Sequence, residues 1–209
     1  MRITKYVHAC VRVADGDRAF VIDPGVWVEP EAYEGIDEIL ITHEHIDHVD
    51  VEALVARAKA SSALLVRAPA PVAEQLAAVG VPVETVSAGD RIAVAGFDVS
   101  VVGGEHAEIY DGLPGCANVG FVVDGRVYHP GDALFVPDSD VELLMVPVSA
   151  PWLKLAEAID FVRAVGPTRV IPVHDALLSD KGAALTDRWL DMKGGSDYRR
   201  LNPRDDIEV

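Results

Sequence analysis

Short apolar runs alternate with polar breaks along this chain, and their spacing separates strands from helices. Ile3–Val7, Cys10–Val13 and Ala19–Ile22 predict three opening strands. The last two flank Asp15-Gly16, a hairpin signal, and Asp23-Pro24-Gly25 ends the third. Ile39–Thr42 predicts a buried fourth strand. Asp50 is suited to cap a helix from Val51 to about Ala60, with Val51, Leu54, Val55 and Ala58 on its inner stripe. Leu64–Arg67 reads as a strand, and Pro71 fits the first turn of a helix ending at Gly80.

The middle of the chain predicts hairpins. Ile92–Val94 and Phe97–Val102 flank Ala95-Gly96, and Val119–Val123 and Arg126–His129 flank Asp124-Gly125. The last third changes character. Leu143–Pro147 and Val170–Val173 read as strands. Between them a helix is expected over Leu155–Val165, with Leu155, Ile159, Val162 and Val165 inward and Gly166-Pro167 as its stop. Asp180 can cap a final helix carrying an apolar stripe, Leu185, Trp189 and Met192 at i, i+4 and i+7, and stopped by Gly194-Gly195. Hairpins alternating with crossover helices predict an α/β fold of sheets with helices on their outer faces. No linker or repeat divides the chain, so residues 1–209 are expected to be one domain.

Polar residues gather where the predicted strands end. Thr42-His43-Glu44-His45-Ile46-Asp47-His48 follows the buried run Ile39-Leu40-Ile41. In an extended segment His43 and His45 point to one side, a spacing suited to one metal ion. Asp47 and His48 are then offered to a neighbouring ion, and Glu44 faces away. Imidazole and carboxylate are ligands of Zn, Mn and Fe. His106, Asp132 and His174 also stand just beyond predicted strands. Alone, each reads more readily as a hydrogen-bonded loop residue; together they point to one functional sheet edge.

Charge narrows the partners. The 209 residues carry 18 Lys and Arg against 34 Asp and Glu, a formal net charge of −16. Such a balance argues against phosphate-backbone and anionic-membrane partners, which Lys and Arg must neutralise. No apolar stretch approaches the ~20 residues of a membrane span. The opening residues lack the pattern of an export signal, and Cys10 and Cys116 are isolated. Reduced thiols and a cytoplasmic location are therefore expected.

T-H-x-H-x-D-H, a later lone His, a Gly-Asp and a final strand-borne His, in this order, resemble the metallo-β-lactamase-fold hydrolases. Within that superfamily, Tyr128-His129-Pro130-Gly131-Asp132, Pro147-Val148 with Pro151-Trp152-Leu153, and Ile171-Pro172-Val173-His174 resemble the ascorbate-6-phosphate-lactonase-like branch. The resemblance implies a four-layer αββα sandwich of mixed sheets with a two-metal site on one edge. It implies His43, His45 and His106 on metal 1, Asp47, His48 and His174 on metal 2, and Asp132 bridging them. It also implies a supporting role beneath the metals for Asp23, which reads equally as a turn aspartate before proline. Redox di-iron relatives carry Glu where this chain has His45, so the resemblance does not extend to the oxygen-reducing subgroup.

The implied chemistry is hydrolysis of a small ester, lactone or phosphodiester by a hydroxide held between two divalent ions. Zn is the default ion, with Mn and Fe open. Asp47 is placed to orient or deprotonate the water. Trp152 and His129 are candidates to line the substrate mouth, against packing for Trp152 and a structural hydrogen-bonding role for His129. Two other readings are a nuclease, which would need a basic groove, and a non-catalytic metal-binding protein on the same scaffold. The substrate loops would be Gly25–Glu34, Glu105–Ala117 and Ser149–Lys154. The oligomeric state does not follow from the sequence.

Overall fold

Two seven-stranded sheets stack against each other in the computed structural model, which describes residues 1–113 and 115–209. Pro114, within the expected Glu105–Ala117 loop, lies outside them. The strands of the first sheet are β1 (Arg2–Lys5), β2 (Val11–Asp15), β3 (Arg18–Ile22), β4 (Glu38–Leu40), β5 (Leu65–Ala68) and β6 (Val83–Thr85), together with the last strand, β14 (Asp206–Glu208). Its order is β14-β1-β2-β3-β4-β5-β6. The second sheet holds β7 (Arg91–Val94), β8 (Phe97–Glu105), β9 (Ala117–Val123), β10 (Val127–His129), β11 (Leu143–Pro147), β12 (Arg169–Val173) and β13 (Asp197–Tyr198), in the order β13-β12-β11-β10-β9-β8-β7.

Both sheets are mixed. Hairpins pair β1, β2 and β3 antiparallel, whereas β3, β4, β5 and β6 run parallel. The same division recurs between β7–β10 and β10–β13. Parallel neighbours need crossovers. Four of these carry helices: α1 (Val51–Ala60), α2 (Ala70–Ala78), α3 (Leu155–Val165) and α4 (Asp180–Lys193).

Adjacent strand residues enter different apolar layers. Phe20, Ile22 and Leu40 meet Val99, Phe121, Val123 and Met145 between the sheets. Their neighbours Val21 and Ile39 turn outward against Leu54, Val72 and Leu76 of α1 and α2. Leu144 and Val122 do the same against Phe161, Val162 and Leu190 of α3 and α4. Three apolar layers between four structural layers make an αββα sandwich. No helix among the described residues is long and apolar enough to cross a membrane.

Three expectations need correction. α4 has the expected period but a different phase. Thr186 and Leu190 are buried, whereas Leu185, Trp189 and Met192 are 55%, 41% and 50% exposed. The helix is capped by Ser179, whose side chain accepts the Gly182 N–H, rather than by Asp180. The segment after β4 is not extended as far as His48. His48 N–H and Val49 N–H both bond the His45 carbonyl at 2.9 and 3.1 Å, closing a turn.

Strand direction positions the polar residues. β1 and β3 both pair antiparallel with β2, so they run the same way, and β4 is parallel to β3. By the same logic β8, β10 and β12 run together. His8, Asp23, His43, His106, Asp132 and His174 all lie beyond the C-terminal ends of these six strands. Two backbone bonds join the sheets at this edge: Val119 N–H to Thr42 O at 3.0 Å and His174 N–H to His8 O at 3.1 Å.

Candidate metal centre

Asp23 anchors the edge from below. Its Oδ1 accepts the Thr42 N–H at 2.7 Å, and its Oδ2 accepts the Thr42 hydroxyl at 2.6 Å and His48 Nδ1–H at 2.7 Å. Gly25 permits the next loop to pass close above: a Cβ there would lie 2.1 Å from the Asp47 carbonyl oxygen.

The hydrogen bonds define which imidazole nitrogen is free. The Thr42 hydroxyl donates its O–H to Asp23, so its oxygen accepts His43 Nδ1–H at 3.0 Å. His106 Nδ1–H donates to Ala107 O and His174 Nδ1–H to Ser149 O, each at 2.5 Å. His48 uses Nδ1 on Asp23. All four histidines therefore turn Nε2, rather than Nδ1, toward the shared space, the nitrogen a metal would take in exchange for a proton. His45 presents Nδ1, which lies 3.0 Å from His43 Nε2.

Two donor groups result. His43, His45, His106 and Asp132 form one, and His8, Asp47, His48 and His174 form the other; within each, the donor atoms lie within 4.8 Å of one another. Asp132 stands between them. Its Oδ2 is 3.4 Å from His106 Nε2 and 3.1 Å from His174 Nε2, and its Oδ1 is 3.2 Å from His48 Nε2. The three Nε2 atoms and Asp132 Oδ1 are buried without a hydrogen bond of acceptable geometry. Burying so many unsatisfied polar atoms is costly unless a cation meets them. The donor set fits two divalent ions.

The electrostatics share this origin. Burial disfavours a charged His48, yet Asp132 and Asp23 outweigh it and push its pKa up to about 10. Burial is likewise opposed at His174, where Asp132 and Asp47 push the pKa up to about 9. Burial would raise Asp132, but His48 and the other imidazoles hold it well below the usual carboxylate range. Asp47 is also lowered, burial being outweighed by His174 and His8. His43 is pushed well down, by burial first and then by His48.

All seven residues expected as metal ligands come together here, with Asp23 beneath them. Trp152 lies beside them and donates Nε1–H to Asp132 Oδ2 at 3.2 Å. His129 does not line a mouth. It is buried, Nε2–H bonding Ala9 O at 2.8 Å and Nδ1 accepting Gly131 N–H at 3.1 Å. Sequence reasoning missed two residues. Asn118 accepts Asp132 N–H through Oδ1 and donates to Pro130 O. His8 contacts Asp47 Oδ2 at 3.1 Å. The strand-end rule that marked His106 and His174 would have found His8 had it been applied to the first strand.

A cavity of about 390 Å³ opens beside the first donor group, lined by Glu44, His45, Glu105, His106, Glu108, Ile109 and Leu113 among others. A shallower groove runs past Glu44, Ile46 and Asp47 to Pro71 and Gln75 on α2. Neither has a Lys or Arg among its described lining residues.

Residues 2–174 match the family model described as the Beta-lactamase superfamily domain. Protein Rv0786c of Mycobacterium tuberculosis is 38% identical over 185 residues, 86% of each chain. A protein of Methanoregula boonei named UPF0173 metal-dependent hydrolase is 31% identical over 189 residues, 83% of this chain and 82% of its own. The metallo-beta-lactamase fold protein YhfI from Bacillus subtilis superposes with a TM-score of 0.78 over 100% of this chain and 99% of its own, at 14% identity, a likeness of fold.

Proposed function

The chain belongs to the β-lactamase superfamily and has the metallo-β-lactamase fold, and from that premise we propose a metal-dependent hydrolase of small uncharged esters or lactones. One observation carries the reading. Four buried imidazoles have Nδ1 tied to acceptors of the chain itself and turn Nε2 toward the space around Asp132. His43, His45 and His106 would hold one ion, and Asp47, His48 and His174 a second, with Asp132 between them. The name of the Methanoregula relative supports the same reading. N and O donors without thiolate suit Zn first, then Mn or Fe.

Bound ions of this kind acidify water and polarise the oxygen of the bond under attack. The chain supplies the rest. Asp47, with a partly exposed carboxylate, is the residue to hold or move a proton during attack. Trp152 Nε1–H and Asn118 Oδ1 fix Asp132, one at the carboxylate and one at the backbone. Ile109 and Leu113 offer an apolar wall to a substrate. Cys116 lines the same cavity, but burial and the nearby Glu44 raise its pKa, so it stays a thiol rather than a nucleophilic thiolate.

The cavity wall argues the substrate class. Glu44, Glu105 and Glu108 line it, and no cation among its described residues faces them. Away from the ions themselves, a phosphodiester, a phosphorylated lactone or a nucleic acid would meet three carboxylates and no Lys or Arg among the described wall residues. The test uses Asp132→Ala and His48→Ala separately. Metal content would be measured by elemental analysis and turnover on a panel of lactones, carboxylic esters and a generic phosphodiester. Both variants should lose metal and turnover together, by more than the ~10–100-fold typical when a supporting partner is removed. Full activity in either ends the proposal.

A further inference from the structure

His8 has no part in the seven-residue ligand set, yet its ring is 1% exposed and sits at the second donor group. We propose that His8 is a positioning residue for Asp47, fixing the carboxylate by which the second ion would be held. The proposal rests on the metal-centre reading above.

Two bonds settle what the ring can do. Nδ1 accepts the backbone N–H of Ala176 at 3.3 Å, so that nitrogen carries no proton. The neutral ring then bears its proton on Nε2, which donates to Asp47 Oδ2 at 3.1 Å. With one nitrogen used as an acceptor and the other as a donor, His8 has no lone pair for an ion. It is a hydrogen-bond donor to a ligand, although its atoms fall within the donor group. Asp47 Oδ2 is also the oxygen that lies 3.4 Å from His174 Nε2. The donated N–H therefore occupies one side of the oxygen that faces the second group.

The backbone is committed to this placement. His8 lies in the left-handed region at φ +62°, which His, Asn and Asp tolerate better than most residues. Its carbonyl accepts His174 N–H at 3.1 Å, and its ring centroid is 3.9 Å from that of His174. Trp27 packs edge-on against the His8 ring, with centroids 5.0 Å apart. Next along the chain from His174, Asp175 pairs with buried Lys5 at 2.9 Å, tying the end of β1 to the same loop. One residue thus orients Asp47 through its ring and His174 through its backbone.

Three substitutions separate positioning from general structure. His8→Ala removes ring and donor. His8→Gln keeps an N–H at about the reach of Nε2. His8→Asn keeps tolerance of the left-handed backbone but falls short of Asp47. Zn²⁺ affinity would be measured for both ions by competition with a chromophoric chelator. The absorption spectrum of Co²⁺ in the second site would be recorded, and folding checked by thermal unfolding. The wild type should bind two ions. His8→Ala and His8→Asn should keep the first and weaken the second about 10–100-fold, with an altered Co²⁺ spectrum, and His8→Gln should recover most of both. Two ions bound equally tightly by wild type and His8→Ala overturn the proposal alone. So does His8→Gln failing to improve on an equally well folded His8→Asn. A wild-type chain that takes up no metal removes the underlying reading as well.

Discussion

At the scale of single residues, His129 makes a pH prediction that rests first on burial and on its own two hydrogen bonds. Both its nitrogens are committed, one donating to Ala9 and one accepting from Gly131, so the ring fits only when neutral. Burial lowers its pKa below the ordinary histidine value, with Asp23 working weakly the other way. A histidine depressed in the fold favours folding above its unfolded pKa, near 6.5, and that contribution is lost as pH falls through the folded value. His129→Gln removes the titration while keeping an N–H for Ala9. The wild type should lose more thermal stability than this variant between pH 7.5 and 5, though the variant starts lower. Parallel Tm–pH curves would refute the assignment. Acid effects at the other histidines are common to both proteins and cancel in the difference. The residue scale also shows what the sequence carried. The seven candidate ligands were readable because each is a chemically distinct side chain a few residues past the end of an apolar run. Asn118 was not, because its task is to satisfy the backbone of Asp132 from another strand, and an interior Asn carries no such mark. Gly25 read as a strand terminator, whereas its need arises from the Asp47 loop crossing above it.

At the scale of elements, α4 shows where hydrophobic periodicity stops informing. Leu185, Trp189 and Met192 share a face, and so do Thr186 and Leu190; only packing on α3 decides which is inward. Leu190, 1% exposed in the layer with Phe161 and Val162, should cost about 2–5 kcal/mol as Leu190→Ala. Leu185→Ala, on the exposed face, should stay within about 0.5 kcal/mol. Urea unfolding of the two variants checks the phase, and equal losses would mean the helix is rotated. The elements resting on turn chemistry were easier to read. Ala95 and Gly96, at φ +47° and +78°, make the two-residue turn between β7 and β8 that their positions suggested. The short strands β6, β13 and β14 had no such signal: two to three residues long, they are defined by the neighbour they pair with.

At the scale of the whole molecule, charge and site act together. The chain carries −16; two bound dications would reduce this to −16 + 4 = −12. The sandwich gathers the potential donors at one edge, so the compensating positive charge would be concentrated there while the cavity walls stay acidic. Such a site attracts the polarised oxygen of a neutral ester at the ions but repels an approaching anion over the screening length, about 8–10 Å in ordinary buffer. A matched series of aryl esters, differing only in a cationic, neutral or anionic substituent remote from the carbonyl, isolates the effect. With metal loaded, kcat/KM should be about tenfold lower for the anion than for the neutral ester. The anion should gain as salt rises from 20 to 500 mM (roughly threefold or more in screening terms), while the neutral ester barely changes. Glu44→Gln combined with Glu108→Gln should narrow the gap, because both carboxylates line the cavity wall. An anionic ester or phosphodiester that outpaces the neutral ester, and slows with salt, would require a cation at the mouth that these walls do not supply. The substrate class would then have to be withdrawn, while a hydrolase that turns over either compound only when metal is bound would keep its chemistry.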